Sequence, residues 1–349
     1  MSSKFLPIQF EDGCLKLLDQ RQLPVEEIFI DNHTIEDVHK SIKDMVVRGA
    51  PCIGFTAIFG MALWVKSNIN FNKDDFNSAA DYLNSARPTA VNLSFELENC
   101  KELLANCFAK NLDPYVELVK LGNSKIQKSN DDNYQMAKYV QDDINNRLGK
   151  KKYRVLTHCN TGFLACGSVG TALGVVEVMN QSNQIEKVWV DETRPYLQGS
   201  RLTAYELTKL NIDHEIVVEG CASYLMKNQL VDFIVVGADR IVKNGDTANK
   251  VGTSNLAVIA NYYNIPFYVV APTSSFDTNT KSGEEIEIEL RPKEEITTIK
   301  GIQISPIESK AFNPSFDVTD AELISAISCE KGLIQPPFNQ NLERIVLNG

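Results

Sequence analysis

Apolar positions recur along this chain with two different spacings, and the change from one to the other falls near residue 150. Residues 4 to 30 read as short strands with a turn at Glu11-Asp12-Gly13, which predicts a small antiparallel sheet. Thr34 stands three residues before Asp37, as an N-cap does in a capping box, so IEDVHKSIKDMVV reads as a helix ending at Arg48-Gly49. After Pro51 the run IGFTAIFGMALWV is apolar almost all round, the pattern of a helix buried inside a domain. Residues 75 to 108 and 114 to 146 carry helical apolar spacing, with a polar interval of mixed charge from Lys120 to Asp132.

From Tyr153 the pattern changes. YRVLTHC, KVWVDE, DHEIVVEG, VDFIVVGAD and PFYVVAP are short β-rich runs separated by segments of helical length. That alternation predicts an α/β unit with a mostly parallel sheet covered by helices. The expected division is a mainly helical domain over residues 1–148 and an α/β domain over 149–349, with the boundary in NRLGKKK, residues 146 to 152. Each β-rich run ends in polar residues: His158-Cys159-Asn160, Asp191-Glu192-Thr193-Arg194, Glu219-Gly220, Asp239-Arg240 and Thr273-Ser274. Ligands of open parallel sheets bind at such carboxyl ends, so these ends are expected to converge.

Composition narrows the classes. The chain has 349 residues, 43% hydrophobic and 23% charged, as an ordinary globular protein does. Its net charge of -10 gives no general attraction to phosphate backbones or anionic lipid, which argues against nucleic acid or a membrane surface as partner. The start, MSSKFLPIQFEDG, has no basic segment followed by an apolar one, and no window approaches the ~18 apolar residues of a membrane span, so the expected location is cytoplasmic. The eight cysteines show no C-x-x-C pair and no zinc spacing, and the four histidines are dispersed, so reduced thiols and no metal are expected.

Five stretches carry candidate chemistry. Cys159 lies at a strand end in VLTHCNTGFLACGSVGTALG, where Asn160-Thr161-Gly162 would cap the following helix and leave the thiol near free backbone N–H groups. That setting favours a thiolate; packing in an apolar strand-helix unit is the alternative. Gly167, Gly170 and Gly174 do not spell the dinucleotide fingerprint and are read as helix-sheet packing. In VDFIVVGADRIVKNGDTANKVGTSNLAVIA an apolar strand delivers Asp239 to its end, an acid suited to proton transfer if burial raises its pKa; pairing with Arg240 or capping of the next turn is the alternative. Asn249 and Lys250 then precede a helix start, where a lysine and backbone amides can meet a phosphate. Arg48 and Gly49 stand before one proline-started helix and Arg87 before Pro88, placements from which a guanidinium can help hold an oxyanion. VDETRPYLQGSRLTAYEL is dense in side-chain hydrogen-bonders, as a sugar site requires.

RGAPCIG, RPTAVNL, THCNTGFLA, VDETRPYLQGSRLTAYEL, GADRIVKNGDTANKVGT, APTSSFD and NPSFDVTDAELI follow one another in an order that resembles the methylthioribose-1-phosphate isomerase family. That family also holds the regulatory subunits of translation initiation factor 2B, and the match runs from about residue 40 to 332. The resemblance implies Cys159 and Asp239 as the catalytic pair. It implies Arg48, Gly49, Ala50, Arg87, Gln198, Asn249 and Lys250 as contacts to a phosphosugar. It further implies a homodimer and a Rossmann-like C-terminal domain without a nucleotide cofactor. The chain departs from the family at Cys52, Cys166 and Ser254. The rivals are a non-catalytic regulatory subunit, a ribose-1,5-bisphosphate isomerase, and more distantly a nicotinamide dehydrogenase; 5-deoxyribose phosphate is an additional substrate candidate.

Overall fold

A computed structural model describes residues 6–87, 91–149 and 152–347. The chain divides into two compact units, one reaching to Asp131 and including Gly162–Gly170, the other formed by Asp132–Thr161 and the chain from Thr171 onward. The division falls inside a continuous helix, upstream of the 146–152 stretch, of which Lys150 and Lys151 lie outside the described residues.

The first unit begins with β1 (Ile8–Glu11), β2 (Cys14–Leu18) and β3 (Phe29–Asn32), an antiparallel sheet in that order. The turn from β1 to β2 has positive φ at both Asp12 and Gly13, the backbone that matches the twist of a tight hairpin. α1 (Ile35–Lys43) opens on the expected capping box, with Thr34 accepting from the Asp37 amide and Asp37 accepting from the Thr34 amide. It stops five residues short of Arg48, because Met45 takes a left-handed backbone (φ 58) that no continuing helix can hold.

α2 (Ala50–Ser67) is the buried helix read from the sequence. By length and composition it is apolar enough to cross a membrane, contrary to the expectation that no window reaches that limit; 72% of it is buried, which is how a core helix satisfies the same test. α3 (Lys73–Asn84) and α4 (Val91–Lys110) pack with it around Phe59, Phe76 and Leu83. α5 (Pro114–Leu148) runs unbroken through the polar interval, since mixed charges at helical spacing suit an exposed helix face.

The second unit is built on a seven-stranded sheet. Its strands are β4 (Tyr153–Thr157), β5 (Ile185–Asp191), β6 (His214–Val217), β7 (Phe233–Val236), β10 (Phe267–Val270), β15 (Ala326–Cys329) and β16 (Gly332–Ile334), in the order β16-β15-β10-β7-β4-β5-β6. The pairs are parallel except β15 with β16. The last two strands extend the sheet beyond the five runs read from sequence. A second sheet, β11-β8-β9-β14, is formed by β8 (Arg240–Val242), β9 (Thr247–Lys250), β11 (Phe276–Asp277) and β14 (Phe316–Thr319), while β12 (Thr298–Ile299) and β13 (Ile302–Gln303) make a short ribbon.

Burial on both faces explains why the central strands are nearly all apolar. On one face Val155, Phe233, Val235 and Tyr268 meet Met136, Val140 and Ile144 of α5 and Val175 and Met179 of α7 (Ala172–Gln181). On the other, Leu156, Ile234, Val236 and Phe267 meet Leu225 of α9 (Ala222–Lys227) and Leu256 and Ala257 of α10 (Thr253–Tyr262).

The segment after β4 differs from the single small-residue helix expected there. α6 (Phe163–Cys166) lasts one turn and ends at Gly167, whose φ of 98 favours glycine; the full helix begins only at Ala172. Gly162–Gly170 belongs to the first unit, so Gly167 marks a chain break in the helix and not helix-sheet packing.

Candidate active site

Chain order and sheet order together fix the site. From β4 the chain adds β5 and β6 on one side, then crosses to the other side of β4 and adds β7, β10 and β15. β4 and β7 are neighbours, with Val155 opposite Phe233 and Leu156 opposite Ile234. The sheet therefore reverses its winding between them, and the crevice beyond their carboxyl ends is where open parallel sheets bind ligands. Cys159 follows β4 and Asp239 follows β7.

Cys159 is 7% exposed and holds a left-handed backbone, φ 62, uncommon for a residue with a side chain. Two threonines hold it there. Its amide donates to Thr193 Oγ1 at 2.8 Å, and its carbonyl accepts from the Thr203 hydroxyl at 2.6 Å. Thr193 is itself left-handed (φ 63) and donates to the Asp191 carbonyl at 3.0 Å. Over-determined strain of this kind concentrates at functional sites. Asn160 does not cap a helix as expected; its Nδ2 donates to Glu206 at 2.8 Å and Thr203 at 3.2 Å, and its buried Oδ1 has no partner among the described residues.

His158, the residue before the cysteine, is the main feature that sequence reading passed over. Its side chain and that of Asp191 are both fully buried, with Nδ1 3.1 Å from Asp191 Oδ2 and Nε2 2.9 Å from the Val251 carbonyl. A carbonyl only accepts, so Nε2 is the donor to Val251, and Nδ1 faces the Asp191 carboxyl. Burial raises the Asp191 carboxyl above its ordinary range, while the imidazole acts against that.

The segment VDETRPYLQGSRLTAYEL is less regular than a helix start. Leu197 is left-handed, Gly199–Thr203 is a π-helical turn, and α8 (Ala204–Lys209) follows. Such turns are frequent at functional sites. A Cβ on Gly199 would lie 1.6 Å from the Asp191 carbonyl oxygen, so the close approach of this turn to β5 requires glycine. Gln198, next to it, is 5% exposed, and its Oε1 is buried with no partner among the described residues.

Asp239 is exposed at its strand end, so the burial invoked to raise its pKa is not found. Its amide donates to the Ala248 carbonyl at 2.9 Å, and Arg240 pairs with Asp277 at 3.5 Å. Asn249 is 5% exposed and donates to Thr253 Oγ1 at 3.0 Å. Lys250 donates to the Ser315 carbonyl at 2.8 Å, with its ammonium 4.3 Å from the Phe316 ring centre. The amides of Gly252 and Ser254 at the start of α10 donate to the Asp317 carboxylate, at 2.7 and 3.1 Å. This corrects the expectation that those amides await a phosphate: the chain supplies its own anion.

Arg48, Gly49, Ala50 and Arg87 lie in the first unit. Arg48 is half-buried, and its Nη1 is buried with no partner among the described residues, as a guanidinium kept for an anion would be. Gly49, at φ 90, sits where a Cβ would fall 2.4 Å from the Ala165 carbonyl, and Ala50 is exposed. Arg87 is half-buried, while Pro88 and the two residues after it lie outside the described residues. Elsewhere in this unit, pairing of β2 with β3 brings Cys14, Asp31 and His33 together, with donor atoms within 4.8 Å of one another and a metal-compatible set that chain spacing did not reveal.

The fold and site thus define a two-unit α/β protein with a cysteine-bearing crevice at the switch point of a parallel sheet. The family is clear: the chain belongs to the initiation factor 2 subunit family, whose model matches residues 46–336. It is 45% identical to methylthioribose-1-phosphate isomerase of Caldicellulosiruptor saccharolyticus over 97% of this chain and 98% of that one. It is 43% identical to methylthioribose-1-phosphate isomerase 2 of Pseudothermotoga lettingae over 98% and 99%. Among solved structures it resembles 5-methylthioribose 1-phosphate isomerase from Pyrococcus horikoshii, with a TM-score of 0.91 and 37% identity over 99% of this chain and 96% of that one. It also resembles translation initiation factor eIF-2B subunit delta from A. fulgidus, with a TM-score of 0.88 and 34% identity over 98% and 99%.

Proposed function

We propose that this protein is an aldose-ketose isomerase that converts 5-methylthioribose 1-phosphate into 5-methylthioribulose 1-phosphate, acting in methionine salvage as a cytoplasmic homodimer. One observation carries the reading: Cys159 and Asp239 follow adjacent parallel strands at the point where the sheet reverses its winding. Near-full-length identity to isomerases of that name supports the substrate.

The substrate carries phosphate on its anomeric oxygen, so it has no free aldehyde to enolise. Asp239 protonates the ring oxygen, the bond from that oxygen to C1 breaks, and positive charge develops at C1. Two balanced routes then give the ketose. In the first, a base, Cys159 thiolate or Asp239 after its first transfer, takes the proton from C2 to leave an enol; a proton then returns to C1 as the 2-hydroxyl gives up its own proton to Asp239 and becomes the ketone. In the second, hydride moves from C2 to C1 while the 2-hydroxyl proton leaves to the base, with Cys159 close to the developing charge. Arg48, Gly49, Ala50, Arg87, Gln198, Asn249 and Lys250 hold the phosphosugar in this reading. The buried free Nη1 of Arg48 and Oε1 of Gln198 suit a phosphate oxygen and a sugar hydroxyl respectively.

The likeness to subunit delta of initiation factor eIF-2B favours a second reading, a regulatory subunit without turnover. Proton NMR in heavy water with 5-methylthioribose 1-phosphate decides between them. Formation of the 1-phospho-ketose establishes the isomerase, and deuterium at C1 selects the proton-transfer route. Turnover of ribose 1,5-bisphosphate in its place would move the substrate, and no turnover of either by folded protein would favour the regulatory reading.

A further inference from the structure

We infer that His158 is a positioning residue that holds the end of β9 against the end of β4, and thereby sets the Asp239 backbone relative to Cys159. The inference goes beyond the proposed function, and only its kinetic test rests on that reading.

One short segment links the two residues. Val251 comes directly after β9, and its carbonyl accepts from His158 Nε2 at 2.9 Å. Three residues earlier on the same strand, the Ala248 carbonyl accepts from the Asp239 amide at 2.9 Å. Residues 248–251 therefore touch Asp239 at one end and the neighbour of Cys159 at the other, with Asn249 and Lys250 between. The far side of the segment is fixed by β14, where Ala248 faces Val318 and Asn249 faces Asp317.

The imidazole is held too firmly to be passive filling. Its side chain is fully buried, Asp191 Oδ2 faces Nδ1 at 3.1 Å, and Gly252 lies so close that a Cβ there would sit 2.8 Å from Cε1. Asp191 comes from β5, so one ring ties together three strand ends. A ring wedged between two acceptors and a glycine has one orientation, and a displacement of even ~1 Å between reacting groups costs about 100-fold in rate.

The test uses the full chain and compares His158→Phe, which keeps a planar ring but has no donor for Val251, with Asp191→Asn. His158→Phe is expected to speed amide hydrogen exchange of residues 248–254 by about 10-fold while leaving 153–157 unchanged, as loss of one local buried bond does. With 5-methylthioribose 1-phosphate, kcat is expected to fall by about 30- to 100-fold with KM within about 3-fold. Asp191→Asn is the conservative partner: a carboxamide N–H reaches Nδ1 while Nε2 still donates to Val251. It is expected to keep wild-type exchange at 248–254 and to hold kcat within about 3-fold, because hydrogen-bond geometry is retained. Should His158→Phe fail to fold, Asp191→Ala frees the ring to turn and is expected to give the same local exchange signature.

Wild-type exchange and kcat in folded His158→Phe would overturn the inference. So would Asp191→Asn as impaired as His158→Phe, which would make charge the property that matters. If wild-type protein does not turn over the substrate, the proposed function fails, and the exchange comparison still decides the role of His158.

Discussion

Asp317 closes the start of α10 at Gly252: one carboxylate oxygen accepts from the Gly252 amide at 2.7 Å and the other from Ser254 at 3.1 Å. Burial pushes the Asp317 carboxyl above its ordinary range, and the two amides act against that shift. The folded state therefore binds this proton more tightly than the unfolded chain does. Its contribution to stability is full below the unfolded value of about 3.9 and is lost as pH rises through the higher folded value. The melting temperature of wild type relative to Asp317→Asn is expected to fall from acid to neutral pH. A difference that rises over that range would contradict the assignment.

Catalysis is expected to depend jointly on two residues. Cys159→Ser and Asp239→Asn should each abolish turnover while leaving a folded protein that still binds the phosphosugar, measured by NMR of the product and by calorimetry. A near-normal rate in either variant would remove that residue from the mechanism.

Gly199→Ala tests the packing of the π-helical turn on β5. The added carbon would lie 1.6 Å from the Asp191 carbonyl, so backbone has to move. A loss of about 3 kcal/mol is expected by denaturant unfolding, at the upper end for overpacking. Wild-type stability would mean that the turn does not approach β5 so closely.

The cap of α1 offers a test far from the site. Although burial alone raises Asp37, hydrogen bonds from the His33 amide, the Thr34 side chain and the Thr34 amide outweigh it and hold the carboxyl below its ordinary range. Here the sign is opposite to that of Asp317: the stabilisation is present above the unfolded pKa and is lost as pH falls through the lower folded value. Thr34→Ala is expected to cost about 1 kcal/mol at neutral pH. Asp37→Asn is expected to lose its disadvantage relative to wild type on acidification, as followed by thermal melts from pH 7 to 3.

The helices of the first unit and the five β-rich runs were legible because their apolar spacing reports which side of an element is buried. The break at Gly167 was not, because the small residues of LACGSVGTALG suit one helix as well as two, and the left-handed backbone that separates the pieces leaves no period to read. His158, at the end of its strand, shows no role in the sequence. A single histidine carries no signal until a carboxylate from β5 and a carbonyl beyond β9 stand on either side of it. Asp317 was missed for the same reason: it lies 65 residues from the amide it caps.

Local period and residue type were enough to read the helices of the first unit, the α/β class of the second and the strand ends that bear Cys159 and Asp239. That β4 and β7 are neighbours, that α10 carries its own anionic cap, and that Asp239 is exposed where burial was expected emerged with the folded arrangement. Those outcomes depend on strand order and on contacts between residues far apart in the chain, which no local pattern specifies.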